Sequence, residues 1–149
     1  MQEFYDWYVS RDVLDEKLPT GEPTSNDVLR LHPKLLNAEL QRLLREDSEA
    51  QSKEPGYVVG LDMDPFFNSQ DPSPKFEVES ARVNHAHCDA VVYGVDEGAK
   101  REKVMPELAE SGPTWVFVNF HYESQNPQDE SLISILKMLQ NNRMHSGKR

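Results

Sequence analysis

Around Pro55-Gly56 the chain changes its hydrophobic period, from the three-to-four-residue spacing of helices to the two-residue spacing of strands, and near its C-terminus it changes back. Helical segments at both ends and strands in the middle predict an α+β domain: an antiparallel meander with helices packed on one face. A chain of 149 residues is the usual size of one domain, so residues 1–149 are expected to share a single core.

Phe4, Trp7, Tyr8 and Arg11 follow i, i+3, i+4, i+7 spacing and predict a first helix with three aromatics on its buried face. The run from Asp15 to Thr24 holds two prolines and a glycine and reads as a loop. Asn26-Asp27 are expected to cap a short turn through Val28 and Leu31, and a helix to begin at Pro33, with Leu36, Leu40, Leu43 and Leu44 as its stripe. That stripe fades into a charged tail from Arg45 to Glu54. A last helix carries Leu132, Ile135, Leu136 and Leu139, capped by Asp129 or Ser131, before a basic tail from Arg143 to Arg149.

The β-branched and aromatic runs Tyr57–Leu61, Phe76–Val83, Cys88–Val95 and Trp115–Tyr122 predict strands. Asn84-His85-Ala86-His87 and Glu110-Ser111-Gly112-Pro113 read as hairpin connections. Val104 and Leu108 belong to a strand that Pro106 confines to an edge or a bulge. Apolar bulk at alternate and intervening positions from Trp115 to Tyr122 predicts a central strand.

Charge narrows the choice of partner. Sixteen Lys and Arg against 26 Asp and Glu leave a formal charge of -10, the wrong sign for nucleic acid or an anionic membrane, and one that steers basic partners inward. No apolar run approaches the roughly 20 residues of a transmembrane helix. The single Cys88 excludes an internal disulfide. Met1 leads straight into the helical pattern, with no basic and apolar export signal in the sequence as given.

The densest polar constellation is Asp62, Asp64, Asn68, Gln70 and Asp71, crowded into one loop. It is not an EF-hand, because the sixth position from Asp62 is Phe67 rather than Gly and the twelfth is Ser73 rather than Glu. Two roles remain for it: capping turns while Phe66 and Phe67 enter the core, or forming a partner-binding surface. His85, His87 and Asp89 have metal-ligand spacing only if one strand runs through all three, and the hairpin reading places both histidines at an exposed turn tip, so no metal is expected. Cys88 and His121 offer the only thiol–imidazole pair, without an elbow or helix start to activate the thiol, and a buried Cys88 is expected. No Gly-x-Ser-x-Gly elbow, phosphate loop or dinucleotide fingerprint is present, so no catalytic residue and no cofactor are assigned.

The order of these elements resembles the bacterial envelope family known as domain of unknown function 3828. The resemblance rests on Phe4-Tyr5-Asp6-Trp7-Tyr8, the Leu-rich segment around Pro33, the loop Asp62-Met63-Asp64-Pro65-Phe66-Phe67-Asn68-Ser69-Gln70-Asp71 and the late strand Trp115-Val116-Phe117-Val118-Asn119-Phe120. It implies a cone similar to nuclear-transport-factor-2-like domains, an export signal ahead of the mature domain, a periplasmic location and no established catalytic set. Immunity proteins against type VI secreted peptidoglycan amidases are similar to this family. The resulting expectation is a periplasmic protein-binding module of the immunity type, whose acidic surface docks a basic cell-wall hydrolase through Asp62, Asp64, Asn68, Gln70 and Asp71. The alternatives are a small-molecule-binding or enzymatic cone with a pocket, and an uncharacterised envelope lipoprotein domain; a cytoplasmic location stays open beside the periplasmic one.

Overall fold

The structure, a computed structural model, describes residues 1–18 and 21–146. In chain order it contains α1 (Gln2–Lys17), α2 (Ser25–Leu31), a 3₁₀ turn (Pro33–Leu35), α3 (Ala38–Ser52), β1 (Lys75–Asn84), β2 (His87–Asp96), β3 (Ala99–Ser111), β4 (Thr114–His121), a second 3₁₀ turn (Pro127–Asp129) and α4 (Leu132–Ser146). The four strands pair antiparallel in the order β1-β2-β3-β4, so the α+β meander is as the periodicity predicts. None of the described helices is long and apolar enough to cross a membrane.

Turn chemistry explains the meander. Glu97 (φ 50°) and Gly98 (φ 80°) both occupy the left-handed region, as a two-residue hairpin between right-twisted strands requires. Gly112 (φ 62°) and Pro113 join β3 to β4. Pro106 lies on an inner strand next to a register shift at Glu107/Leu108, so of the two places expected for it the bulge is the one observed.

One sheet face is apolar: Cys88, Ala90 and Val92 of β2, Val104 and Leu108 of β3 and Phe120 of β4 are buried beneath the helices. From α1 come Phe4, Tyr5 and Tyr8, from α3 Leu40, Leu43 and Leu44, and from α4 Leu132 and Leu136. Rings link the layers, with Phe4 to Phe117 at 5.1 Å, Tyr8 to Phe67 at 4.7 Å and Phe67 to Phe76 at 4.4 Å between centroids. Trp7, expected inside, is only partly buried and meets His32 edge-on at 4.7 Å, because α1 turns Tyr5 inward instead.

Several sequence expectations are corrected. Tyr57–Leu61 is no strand; Tyr57 and Val58 are each 73% exposed. Its backbone is held by a side chain instead: Gln51 Nε2 donates to the Tyr57 carbonyl at 2.7 Å, and its Oε1 accepts from Val59 and Gly60 N–H at 3.0 Å. β4 lies at the sheet edge rather than its centre. Its apolar bulk is covered by irregular chain, since Leu36 bridges Phe117 and Asn37 N–H donates to the Phe117 carbonyl at 2.9 Å. The Pro33 segment is a 3₁₀ turn, and α3 starts at Ala38, capped by the Asn37 side chain accepting from Leu40 N–H at 2.9 Å. Its expected charged tail stays helical to Ser52 because Asp47 is buried.

α1 likewise continues through Asp15 to Lys17, and α2 is preceded by Thr24 rather than capped by Asn26-Asp27. Residues 143–146 of the expected basic tail are helical. Pro19 and Thr20 of the first loop, and Gly147, Lys148 and Arg149 of the tail, lie outside the described residues.

Candidate functional site

The loop from Asp62 to Asp71 forms a closed turn built around Asp64. Asp64 N–H donates to the Ser69 carbonyl at 3.0 Å, closing a four-residue excursion whose last residue, Asn68, takes φ 53°, a left-handed conformation that asparagine tolerates. Asp64 Oδ1 accepts from Phe66 N–H at 2.9 Å and Phe67 N–H at 3.2 Å, and Oδ2 from the Tyr8 hydroxyl at 2.5 Å. Two more tyrosines fasten the turn, Tyr5 to the Phe66 carbonyl at 3.1 Å and Tyr122 to the Pro65 carbonyl at 2.6 Å. Phe66 and Phe67 are thereby driven into the core, where both are fully buried.

The five expected contact residues therefore divide. Asp62, Gln70 and Asp71 are exposed on the rim, with Gln70 Nε2 donating to the Asp62 carbonyl at 2.8 Å. Asp64 and Asn68 are half-buried and shape the turn itself.

Beside this loop opens a cavity of about 740 Å³ between the end of α1, the start of α2 and the flank of α3. Six carboxylates line it, those of Asp12, Asp15, Glu22, Asp47, Asp62 and Asp64, and no Lys, Arg or His stands among the described lining residues. The acids repel one another. Burial pushes the Asp12 carboxyl above its ordinary range; a hydrogen bond from Thr24 opposes the shift, and Glu16, Asp15 and Asp71 reinforce it. Burial likewise raises Asp64 to about 7, against the three hydrogen bonds it accepts and with Asp12 adding to the rise. Asp47 and Glu22 are met from outside the lining, Asp47 by Arg143 at 2.7 Å and Glu22 by Arg30 at 3.8 Å. Only Asp62, Asp64 and Gln70 of the cavity wall were named by the sequence; Asp12, Asp15 and Glu22 come from elements far along the chain, and nothing local marks them.

The histidines are placed differently from expectation. The β1–β2 turn consists of His85 and Ala86 alone, and His87 and Asp89 belong to β2. His87 Nε2 lies 3.4 Å from Asp89 Oδ1 and 3.6 Å from Glu107 Oε1, and His121 Nε2 lies 3.5 Å from the same Glu107 oxygen. Cys88 is buried on the opposite, helix-covered face, with its thiol pushed up by burial first and Asp89 second; it shares no chemistry with His121. No family model, no curated protein and no solved structure matches this chain.

Proposed function

We propose that this protein is a periplasmic protein-binding module, an immunity-type inhibitor that receives a basic segment of a cell-wall hydrolase, a secreted peptidoglycan amidase, in its acidic cavity. The observation that carries this reading is a lining of six carboxylates with no Lys, Arg or His among the described lining residues, Asp47 and Glu22 being reached from outside the cavity by Arg143 and Arg30. Carboxylates held close together on separate elements are mutually unfavourable until a cation lies between them, and Lys or Arg side chains of a partner supply that cation. A hydrolase acting on anionic murein is expected to be basic, which complements the -10 charge. Asp62 and Asp71 on the rim make the first contacts, and Asp12 and Asp15 the deeper ones.

The test is calorimetric binding of a basic peptidoglycan amidase, the neighbouring gene's product first, together with thermal unfolding of the free protein. Asp62→Ala should weaken the complex by about 2–5 kcal/mol if its partner charge is desolvated, with stability unchanged. Absence of a complex with any cell-wall hydrolase would sink the reading. One observation favours a second reading: an Asp64 carboxyl at about 7 inside a roomy cavity has the properties of an acid–base group acting on a small cationic ligand. Saturation of the cavity by a small amine, unaffected by any protein partner, would select it.

A further inference from the structure

The helix-free face of the sheet carries a second polar constellation, unconnected with the acidic cavity. Asp89 of β2 and Glu107 of β3 are direct cross-strand partners, an arrangement in which like charges destabilise the pair. His87 stands two residues before Asp89 on the same strand face, and His121 comes from β4, diagonal to Glu107. Arg82, opposite Asp89 on β1, forms no ion pair with it among the described residues. Among the described residues the two carboxylates are thus met by imidazoles, whose ring nitrogen can present a lone pair to a metal.

We propose that His87, Asp89 and Glu107 form a binding site for a divalent transition metal, with zinc as the best match and with His121, which lies beside Glu107 alone, turning in as the fourth ligand. The ligand atoms of His87, Asp89 and Glu107 all lie within 4.8 Å of one another. The individual separations of 3.4, 3.6 and 3.5 Å along His87–Asp89, His87–Glu107 and Glu107–His121 are close to the edge of a zinc tetrahedron, about 3.3–3.4 Å for bonds of 2.0–2.1 Å. Two imidazoles with two carboxylates are a borderline donor set that selects zinc over magnesium or calcium, which prefer all-oxygen shells. Three paired strands hold the donors, so little ordering is required on binding. Glu107 is the shared centre, and the regular register Met105↔His121, Glu107↔Asn119 places His121 diagonally beside it.

The experiment titrates zinc chloride into the full, EDTA-treated chain at about pH 7.5, since protons compete with metal for the ligands at lower pH. One site of micromolar or tighter affinity is expected, with a melting temperature raised by roughly 5–10 °C when free zinc is a hundredfold above Kd. Cobalt(II) should give visible absorption of tetrahedral intensity, and magnesium no shift. His87→Ala and His121→Ala, at positions 43% and 40% exposed and so tolerant of change, should each weaken zinc by about tenfold or more. His85→Ala and Asp62→Ala should leave it unaltered. Affinity weaker than about 100 µM, or zinc binding that survives the double histidine substitution, overturns the proposal.

Discussion

Asp64 has its two carboxylate oxygens committed to different parts of the chain, one to the Phe66 and Phe67 amides and the other to the Tyr8 hydroxyl. Its carboxyl is raised to about 7 in the folded protein, so the charged form is disfavoured by folding. An acid whose pKa is raised on folding contributes stability below its unfolded value and loses it as pH climbs through the folded value, here between about 4 and about 7. Asp64→Asn keeps the two amide bonds and the contact with Tyr8 but cannot ionise. The wild type should therefore lose stability relative to Asp64→Asn from pH 4 to pH 8, by no more than roughly 4 kcal/mol, measured by denaturant unfolding of both proteins across that range. A constant gap would show that Asp64 ionises as freely in the fold as outside it. The sequence exposed this loop as a cluster of acceptors around Phe66-Phe67 and offered turn-capping as one of its roles. It could not divide the cluster, because the tyrosines that fix Asp64 lie on α1 and after β4. Glu107 stayed invisible as the neighbour of both His87 and His121 for the same reason, since strand register alone brings them together.

Among the elements, the segment 57–61 shows how side chains replace a sheet ladder. Besides the Gln51 bonds, the Val59 carbonyl accepts from Arg143 at 3.0 Å, and Leu61 N–H donates to Asp47 Oδ2 at 2.9 Å. Asp47 is 4% exposed and thus ties α3 to both this segment and α4. A Cβ on Gly60 would stand 2.7 Å from Asp47 Oδ2 and 3.3 Å from its backbone carbonyl oxygen, so Gly60→Ala should cost about 1–3 kcal/mol in thermal unfolding. Asp47→Ala should cost about 3–5 kcal/mol, because it leaves a largely buried Arg143 without its partner. Trp7→Ala, at a half-buried position, should cost less than Phe67→Ala, for which about 3–5 kcal/mol is expected. The period-two runs of β1, β2 and β4 were legible to within a residue or two at either end. The start of β3 was not, because Lys100-Arg101-Glu102-Lys103 hides any apolar alternation, and Tyr57–Leu61 misled because β-branched composition records half-burial rather than pairing.

Over the whole molecule, the charge of -10 and the cavity act at different ranges. On the proposed reading, the overall field would govern how fast a basic partner arrives, and the cavity how long it stays. Raising salt should therefore slow association with a basic hydrolase by roughly tenfold or more, with a much smaller effect on dissociation, as followed by stopped-flow mixing. Asp62→Ala should change the two rates in the opposite proportion if its partner charge is desolvated.

The ring contact between Phe4 and Phe117 joins residues 113 positions apart in the chain. Translation at roughly 5–20 residues per second separates the two residues by about 6–23 s, during which the aromatic stripe of α1 has emerged without the strand that finally covers it. The aromatic face of α1 is thus made well before its cover is complete, so nascent chains halted before β4 should be captured by chaperones through Phe4, Tyr5 and Tyr8.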